Sequence, residues 1–403
     1  MHILFIAPRL PLPADTGGKI RTLNILRQLA QKARVHLACF SFEHNDQKWR
    51  QGLEKDHIGV TLVPAKDPAL VALATQILFN QRPASIAKYY SRPMEQSLAR
   101  LNKTNRFDAV HFDHLHMTHY RNIFNGIPCV LDEHNVEYRI LERCADVEKF
   151  IVKKMVFQNQ ARKMKRFETL KLRELPVHLA VSSDDLAMLG ELDEGRNRGY
   201  VIPNGVDTEH FRTQDVRPKT QEEEAVVFTG SMDWLPNSDS AVYFIEDILP
   251  LIWKQRPQVK FYVVGKNPPP GLAQYARQDE RIIVTGCIED VRVYVRRAKV
   301  FVVPLRIGGG TRLKILEAMS MQKAVVSTSI GAEGIEYSDD RNIVIADEPP
   351  EFARKVIALL DDPRKREILG NAGRALVLEK YDWNIIGKRL VNIYEQITRK
   401  KQS

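Results

Sequence analysis

Short apolar runs alternate with amphipathic stretches from the first residues of the chain. The run HILFIA precedes the helical pattern IRTLNILRQLAQKA, and VHLACF, GVTLVP, AVHFDH and PCVLDEH follow it. Strands that are apolar at nearly every position are typical of a parallel sheet covered by helices on both faces. HLAVSS and GYVIPNGV continue the series. The first half of the chain therefore predicts a doubly wound α/β domain.

A polar stretch of mixed charge, RTQDVRPKTQEEE at residues 212–224, interrupts this pattern and has the composition of a linker. The pattern then starts again with AVVFTGSM, VKFYVVG, RIIVTG, KVFVVPL, AVVSTS and NIVIAD. We therefore predict an α/β protein of two Rossmann-like domains with doubly wound parallel sheets, facing each other across a cleft. The domains would comprise residues 1–206 and 224–383, with a linker at 207–223. A length of 403 residues agrees with two domains.

Cysteine usage and hydropathy indicate a cytoplasmic protein. No apolar run approaches the ~20 residues that a membrane-spanning helix needs, and the N-terminal residues read as a buried strand without a signal leader. Cys39, Cys129, Cys144 and Cys287 have no Cys-x-x-Cys spacing. We therefore expect free thiols in a reducing compartment and no structural zinc.

The formal net charge of +10 suits nucleic acid, an anionic membrane or a phosphorylated substrate, although it could also be a general property of the surface. No nucleic-acid-binding signature is present, so we exclude nucleic acid. Basic residues concentrate in a helical pattern at residues 149–175, where Phe150, Met155, Met164 and Phe167 are predicted to share an apolar face. That face either packs on its own domain or lies on the inner face of the membrane.

Four glycine-rich loops follow predicted strands: ADTGGKIR, FTGSMDW, VVGKNPPPG and IGGGTRLK. Bare backbone before a helix offers N–H groups and a positive dipole end to an anion. The last loop adds Arg312 and Lys314, which predicts a diphosphate site, although a tight turn with solvated side chains is the alternative. No loop has the P-loop or Gly-x-Gly-x-x-Gly spacing, which argues against a P-loop nucleotidase and a dehydrogenase.

Four motifs carry a family resemblance that runs nearly end to end: PADTGGKIR, YVIPNGVDTEHF, PLRIGGGTRLKILEAMSMQKAVVSTSIGAEGI and YDWNIIGKRLVNIYEQI. With them the chain resembles retaining glycosyltransferases of family-4 type, which have GT-B architecture, and most closely a subgroup of bacterial exopolysaccharide assembly. The resemblance implies sugar transfer, with retention, from a nucleotide-diphosphate sugar to a hydroxyl of a glycan or polyprenyl-linked acceptor. UDP or GDP is the favoured nucleotide, and no further cofactor is expected.

The same resemblance assigns the first domain to the acceptor and the second to the donor, with a C-terminal helix at 384–403 that crosses back to the first domain. It implies that Glu317 binds the ribose hydroxyls and that Arg312 and Lys314 neutralise the leaving diphosphate. The expected donor-binding backbone and side chains are Gly17, Gly18, Gly230, Gly286, Ile288, Gly308, Gly309, Gly310 and Thr311. Arg21, His134 and Asn135 are expected on the acceptor side. We expect no metal, since no Asp-x-Asp follows a strand end.

The segment HFDHLHMTH holds His111, Asp113, His114, His116 and His119 after a predicted strand. The family places a histidine or an acid there, near the reacting carbon, and both Asp113 and His114 match. A zinc site is the alternative, but strand alternation sends neighbours to opposite faces. His134 either orients the acceptor hydroxyl or bonds backbone carbonyls.

The chain departs from the family pattern at Gly309, Asp233, Trp234, Gln322 and Ala324. Gly309 stands where a glutamate commonly contacts the donor sugar, so the resemblance does not fix that sugar. Asp233 and Trp234 stand where Arg and Lys are usual. Neutralisation of the phosphate charge would therefore depend more on Arg312 and Lys314. The rival hypotheses are a nucleotide-sugar epimerase or phosphorylase of the same architecture, and a non-catalytic protein that binds anions or docks on membranes.

Overall fold

The computed structural model of the chain describes residues 1–42, 46–66, 81–196, 198–212, 222–307 and 312–399. Part of the predicted linker and the predicted donor residues Gly308, Gly309, Gly310 and Thr311 lie outside the described residues. The chain divides into two compact units. The first comprises Met1–Pro203 with Trp383–Ser403, and the second comprises Asn204–Asp382.

The first unit is built on a seven-stranded parallel sheet of order β3-β2-β1-β4-β5-β6-β7. Its strands are His2–Ala7 (β1), Arg34–Ser41 (β2), Ile58–Pro64 (β3), Ala109–Asp113 (β4), Cys129–Glu133 (β5), Val177–Ala180 (β6) and Arg198–Val201 (β7). Every residue of β4 and β5 is buried, including the polar residues His111, Asp113, Asp132 and Glu133. The structure confirms the predicted doubly wound parallel sheet.

Helices cover this sheet and connect its parallel strands. They are Gly17–Ala30 (α1), Asp46–Lys55 (α2), Ala84–Ala87 (α3), Arg92–Thr104 (α4), Glu137–Val147 (α5), Ile151–Glu174 (α6) and Ser183–Asp193 (α7), with a 3₁₀ helix at Leu115–Phe124. The Thr16 hydroxyl caps α1 by accepting from the amide of Lys19 at 3.4 Å. Among the helices described here and below, none combines the length and hydropathy needed to cross a bilayer.

The second unit has a six-stranded parallel sheet of order β10-β9-β8-β11-β12-β13. Its strands are Glu223–Thr229 (β8), Lys260–Val264 (β9), Ile282–Val284 (β10), Ala298–Val303 (β11), Ala324–Ser327 (β12) and Val344–Ile345 (β13). The helices are Leu235–Tyr243 (α8), Leu249–Trp253 (α9), Pro270–Gln278 (α10), Arg292–Arg297 (α11), Leu313–Ser320 (α12), Ser329–Ala332 (α13), Pro349–Asp361 (α14) and Pro363–Lys380 (α15), with a π-helix at Phe244–Ile248.

The last helix, Trp383–Arg399 (α16), belongs to the first unit and packs on α1. It buries Ile386 and Leu390. Gly387 approaches α1 so closely that a Cβ there would lie 1.9 Å from Oε1 of Gln28. The Tyr394 hydroxyl reaches Nδ1 of His111 on β4 at 2.5 Å. The predicted return of the C-terminal helix to the first unit is confirmed.

The strand order of each sheet reverses at one topological switch point, which lies between β1 and β4 in the first unit and between β8 and β11 in the second. Ligands of open α/β sheets bind outside the carboxyl ends of the strands at such points. Gly17 and His114 follow β1 and β4, and Gly230 follows β8. The segment after β11 leads to Arg312 at the start of α12. The fold therefore places Gly17, His114, Gly230 and Arg312 on segments that follow the strands of the two switch points.

Candidate functional site

Asp113, the last residue of β4, lies at the centre of a hydrogen-bond network in the first unit. Its carboxylate accepts from the Thr22 hydroxyl and from Nε2 of His134, both at 2.8 Å. Burial favours a raised pKa for Asp113, but the neighbouring His134 and His114 outweigh it and hold the pKa below its usual range. Asp113 is fully buried. It is therefore an anion with fixed partners and no exposed surface.

Arg21 lies beneath the site, where it pairs with Asp132 of β5. Its Nη2 and Nε donate to the two carboxylate oxygens of Asp132 at 2.6 and 3.1 Å, and Nη1 donates to the carbonyl of Pro203 at 3.2 Å. Both side chains are buried. The sequence suggested that Arg21 contacts the acceptor, but this burial gives it a supporting position instead. Removal of either partner would leave an uncompensated buried charge.

The imidazoles of His114 and His134 lie against each other, with their ring centroids 3.5 Å apart and their planes inclined by 36°. Burial lowers the pKa of His134, but Asp113 and Asp132 more than compensate and raise it to about 9. Burial and the neighbouring His134 hold the pKa of His114 well below its usual value. At neutral pH a neutral His114 therefore lies against a protonated His134. The Asp113 and Asp132 carboxylates stabilise that cation, because an opposite charge favours the ionised form.

His114 has a strained backbone, with φ 72° and ψ 147°. This region is close to one that glycine alone adopts readily, and such strain clusters at functional sites. The His114 side chain is half-buried, whereas Asp113 is fully covered. A Cβ at Gly18 would lie 3.7 Å from Nε2 of His114, so the first turn of α1 touches this imidazole. Of the two candidates that the sequence left open, His114 is the less buried residue.

The strand end also brings together groups that could hold a metal ion. Ligand atoms of Asp113, His114 and His134 lie within 4.8 Å of one another, as do those of His114, His116 and Glu137. Strand alternation did not separate Asp113 from His114, because the chain leaves the extended conformation at His114. In the first set, Asp113 and His134 already bond each other. The expectation that activity needs no metal stays a prediction.

Several carboxyl groups with raised pKa values lie near His114 and His134. The Glu168 carboxylate, on α6, accepts from the amides of Glu137 and Tyr138 at 3.0 and 3.3 Å and so caps α5. Burial raises the pKa of Glu168 to about 8 and that of Glu137 to about 7. Burial and Glu168 raise the pKa of Glu133 well above its usual value. Asn135 is half-buried beside them. This part of the first unit holds carboxyl groups that favour the protonated form.

We expect the first unit to lose stability as the pH rises from about 6.5 to 9. His134 has a folded-state pKa of about 9, above its ordinary value, so its contribution is complete below pH 6.5 and disappears as the pH passes through 9. Glu168, whose pKa rises to about 8, contributes in the same direction because folding favours its neutral form. The thermal unfolding midpoint should therefore fall over this range at constant ionic strength.

The isosteric Glu168→Gln variant is the matched control for this prediction. Gln can still accept from one of the two amides of α5 through its carbonyl oxygen, although its NH₂ group faces the other. Gln does not titrate, so the pH dependence should become shallower. An unfolding midpoint that rises between pH 6.5 and 9 would contradict the assignment of these groups.

Lys314 is the central cation of the candidate site in the second unit. Its Nζ donates to Oδ1 of Asn237 at 2.7 Å and lies 4.0 Å from the ring centroid of Phe228. Burial and the nearby Arg312 hold the pKa of Lys314 well below its usual range, while Glu317 opposes this shift. An ammonium with a lowered pKa is one that gains strongly from an added anion.

Glu317 and Arg312 complete the charged groups along α12. Glu317 follows Lys314 by three residues, on the same side of the helix. Burial raises the pKa of Glu317 to about 7, although Lys314 partly offsets that rise. Arg312 occupies the N-cap position of α12, immediately after residues 308–311. Two basic groups and one acid thus lie within two turns at the switch point of the second sheet.

Gly230 leaves room for the side chain of Lys314, because it has no side chain of its own. A Cβ at Gly230 would lie 2.7 Å from Nδ2 of Asn237 and 2.9 Å from Nζ of Lys314. Asn237 also donates to the carbonyl of Ser231 at 2.8 Å, which fixes its amide. Sequence reasoning selected Gly230 but missed Asn237. The sequence feature that could have identified Asn237 is an amide side chain in the first turn of a helix that follows a glycine loop.

The other donor-side candidates lie at the ends of neighbouring strands. Gly286 follows β10 with φ 68° and has open space where a side chain would be. Ile288 is half-buried two residues later, so its contact with the base remains a prediction. Asp233 accepts from the Ser231 hydroxyl at 2.6 Å and from Asn267 at 3.0 Å, in a polar turn beyond β8. In the first unit, Gly17 is exposed at the start of α1.

Two family descriptions match consecutive parts of the chain. Residues 16–210 match "Glycosyltransferase Family 4", and residues 223–362 match "Glycosyl transferases group 1". The first covers the glycine loop of α1 and the strand ends that carry His114 and His134. The second covers Gly230, Lys314 and Glu317. Both candidate sites therefore lie within the matched regions.

Curated relatives and solved structures agree with these matches. An "Uncharacterized 44.6 kDa protein in cps region" of Klebsiella pneumoniae is 23% identical over 394 residues, covering 94% of this chain and 96% of that protein. A "GDP-mannose-dependent monoacylated alpha-(1-6)-phosphatidylinositol monomannoside mannosyltransferase" of Corynebacterium glutamicum is 27% identical over 214 residues, covering 49% of this chain and 56% of that enzyme. Anabaena Alr3699/HepE, solved with UDP and glucose, has a TM-score of 0.66 at 15% identity, covering 98% of this chain and 99% of that one.

Proposed function

The chain belongs to the family-4-type glycosyltransferases of GT-B architecture, which use nucleotide sugars, and we propose a specific reaction for it on that basis. It transfers a sugar from a nucleotide-diphosphate sugar to a hydroxyl of a glycan or polyprenyl-linked acceptor. The transfer retains the anomeric configuration, needs no metal and serves bacterial cell-surface or exopolysaccharide synthesis. The mannosyltransferase relative uses GDP-mannose and HepE was solved with UDP, so GDP and UDP are the nucleotides we favour.

The observation that carries the proposal is the position of Lys314 at the switch point of the second sheet, held by Asn237. The donor diphosphate binds there, where Lys314 and Arg312 supply positive charge and Gly230 leaves room. Glu317, on the same side of α12, accepts hydrogen bonds from the ribose hydroxyls, and charge assistance makes such bonds strong. Gly308, Gly309, Gly310 and Thr311, outside the described residues, stay assigned to the donor.

The acceptor binds at the end of the first sheet, where His114 is partly exposed. The neutral imidazole of His114 bonds the reacting hydroxyl and orients it. Asp113 and the protonated His134 act through His114, because His134 is bonded to Asp113 and its ring lies against that of His114. Asn135 borders this site. Gly17 and Gly18 stay assigned to the donor, although Gly18 also lies beside His114. Arg21 keeps Asp132 ionised and thereby helps to keep His134 protonated.

Transfer proceeds on the face of the sugar from which the diphosphate leaves. The bond from the anomeric carbon to the diphosphate oxygen breaks, and the acceptor oxygen forms a bond to the same carbon. The acceptor proton passes to the departing diphosphate oxygen, so no protein nucleophile is required. The protein supplies positioning and charge stabilisation, which together can account for large rate enhancements. Lys314 and Arg312 stabilise the charge that grows on the diphosphate.

A transfer assay tests this proposal. The purified protein is screened by thermal shift against UDP-, GDP-, ADP- and dTDP-sugars, and a ligand at ~100 times its Kd should stabilise the fold by ~2.7 kcal/mol. The selected donor is then incubated with hydroxyl acceptors in EDTA, and the product anomer is assigned by NMR. We expect a retained product with EDTA present.

Three outcomes would change the proposal. An inverted product would overturn retention, and activity that requires Mn²⁺ would overturn metal independence. Isomerised or released sugar in the absence of any acceptor would instead support a nucleotide-sugar epimerase.

A further inference from the structure

The start of α6 exposes a cluster of large apolar side chains. The exposed fractions are 69% for Phe150, 68% for Ile151, 70% for Val152 and 62% for Met155. No other six-residue stretch of the described chain exposes as many large apolar side chains. With Lys149, Lys153 and Lys154 these four residues form a surface that we call the α6 tip.

The rest of α6 shows why the tip is not part of the core. The sequence predicted one apolar face containing Phe150, Met155, Met164 and Phe167, and the structure divides it. Met164 and Phe167 are buried in the first unit, as are Gln160 and Ala161. Residues 151–159 contain no buried side chain. The C-terminal part of α6 therefore anchors the helix, and its first turns present apolar side chains to the surroundings.

Charge around the α6 tip points to an anionic partner. None of Lys149, Lys153 and Lys154 forms an ion pair with a described residue. The ammonium of Lys153 lies 5.2 Å from the ring centroid of Phe150, so charge and apolar surface adjoin. The helix Ile151–Glu174 contains eight Lys and Arg residues and two Glu residues. An environment in which apolar chains adjoin negatively charged groups would bind both the apolar side chains and the lysines of the α6 tip.

We propose that the α6 tip docks on the surface of an anionic lipid bilayer. Its apolar side chains enter the boundary between headgroups and acyl chains, and its lysines contact lipid phosphates. Helices with aromatic and aliphatic residues on one side and Lys or Arg on the other bind membranes in this way. The docking is independent of the chemistry proposed above, although it would bring the first unit to a lipid-linked acceptor.

Vesicle flotation tests the proposal with the full chain. We expect the protein to bind phosphatidylcholine vesicles containing about 30 mol% phosphatidylglycerol at least about tenfold better than pure phosphatidylcholine vesicles, and to lose binding in high salt. The double variant Phe150→Ser/Ile151→Ser should lose at least about tenfold in binding, while its fold survives because both side chains are exposed.

The matched control is Ile368→Ser/Leu378→Ser, which removes two exposed apolar side chains from α15 in the second unit. Its vesicle binding should equal that of the unmodified protein. The proposal is overturned if the unmodified chain does not bind anionic vesicles, or if the variant at the α6 tip binds them equally well. It is also overturned if light scattering shows that the tip joins two copies of the chain.

Sugar transfer to a water-soluble acceptor separates this proposal from the proposed function. The Phe150→Ser/Ile151→Ser variant should retain that activity. If the unmodified protein shows no transfer, the proposed function fails, and the vesicle result still decides the docking.

Discussion

Replacement of Lys314 by Met is expected to lower kcat by about 10²–10³-fold, because it removes a preorganised cation from the position where diphosphate charge develops. Met retains most of the aliphatic stem and removes the ammonium, whose Nζ lies 4.0 Å from the ring centroid of Phe228. The loss should therefore fall on charge stabilisation more than on packing. Steady-state kinetics with the donor chosen by the thermal-shift screen would measure it.

Two further variants test the interpretation of Lys314. Lys299→Met removes another half-buried lysine of the second unit, one paired with Glu224 at 2.9 Å, and should leave kcat within about threefold. Asn237→Ala should give a smaller loss than Lys314→Met, since the lysine remains but loses the amide that fixes it at 2.7 Å. Unchanged turnover in Lys314→Met would refute the role of this cation.

Replacement of His114 by Gly is expected to lower kcat by about 10²–10³-fold without a comparable loss of stability. The imidazole that orients the acceptor hydroxyl disappears. At the same time glycine relieves the strain of φ 72° and ψ 147°, which for a non-glycine residue costs about 1–3 kcal/mol. Loss of the ring contact with His134 offsets part of that relief. Turnover and the thermal unfolding midpoint should be measured on the same preparation.

His116→Ala is the matched control for His114, because it removes a neighbouring imidazole of the same segment, whose ring centroid lies 5.9 Å from that of His114. It should leave kcat within about threefold. His114→Asn should recover part of the activity, since Asn tolerates positive φ and keeps a hydrogen-bonding group. An active His114→Gly enzyme would show that the strained residue has no part in the reaction.

The fold was predictable because its signals are local. Continuous apolar strands separated by amphipathic helices specify a parallel sheet, and β4 and β5 are buried at every position as that pattern requires. The glycine loops were predictive for the same reason. Gly230 has no room for a Cβ, and glycine is the residue that such a close approach demands.

The partners of the charged groups were not predictable, because they are distant in sequence. Arg21 follows a glycine loop and looked like a ligand-binding residue, yet it pairs with Asp132, 111 positions away. Asp132 lies inside an apolar run, which gave it no functional signal. Asn237 and Lys314 are 77 positions apart. The choice of His114 over Asp113 depends on burial and backbone strain, and neither can be read from the identity of adjacent residues.

The first unit is discontinuous along the chain, since its last helix is supplied by residues that follow the entire second unit. During synthesis, the second unit leaves the ribosome complete, whereas the first must wait for Trp383–Arg399 to cover α1. Domains generally fold as units, and contacts across such long separations form slowly. The order of maturation is thus reversed relative to the order of translation: the second unit can be finished before the unit that begins the chain.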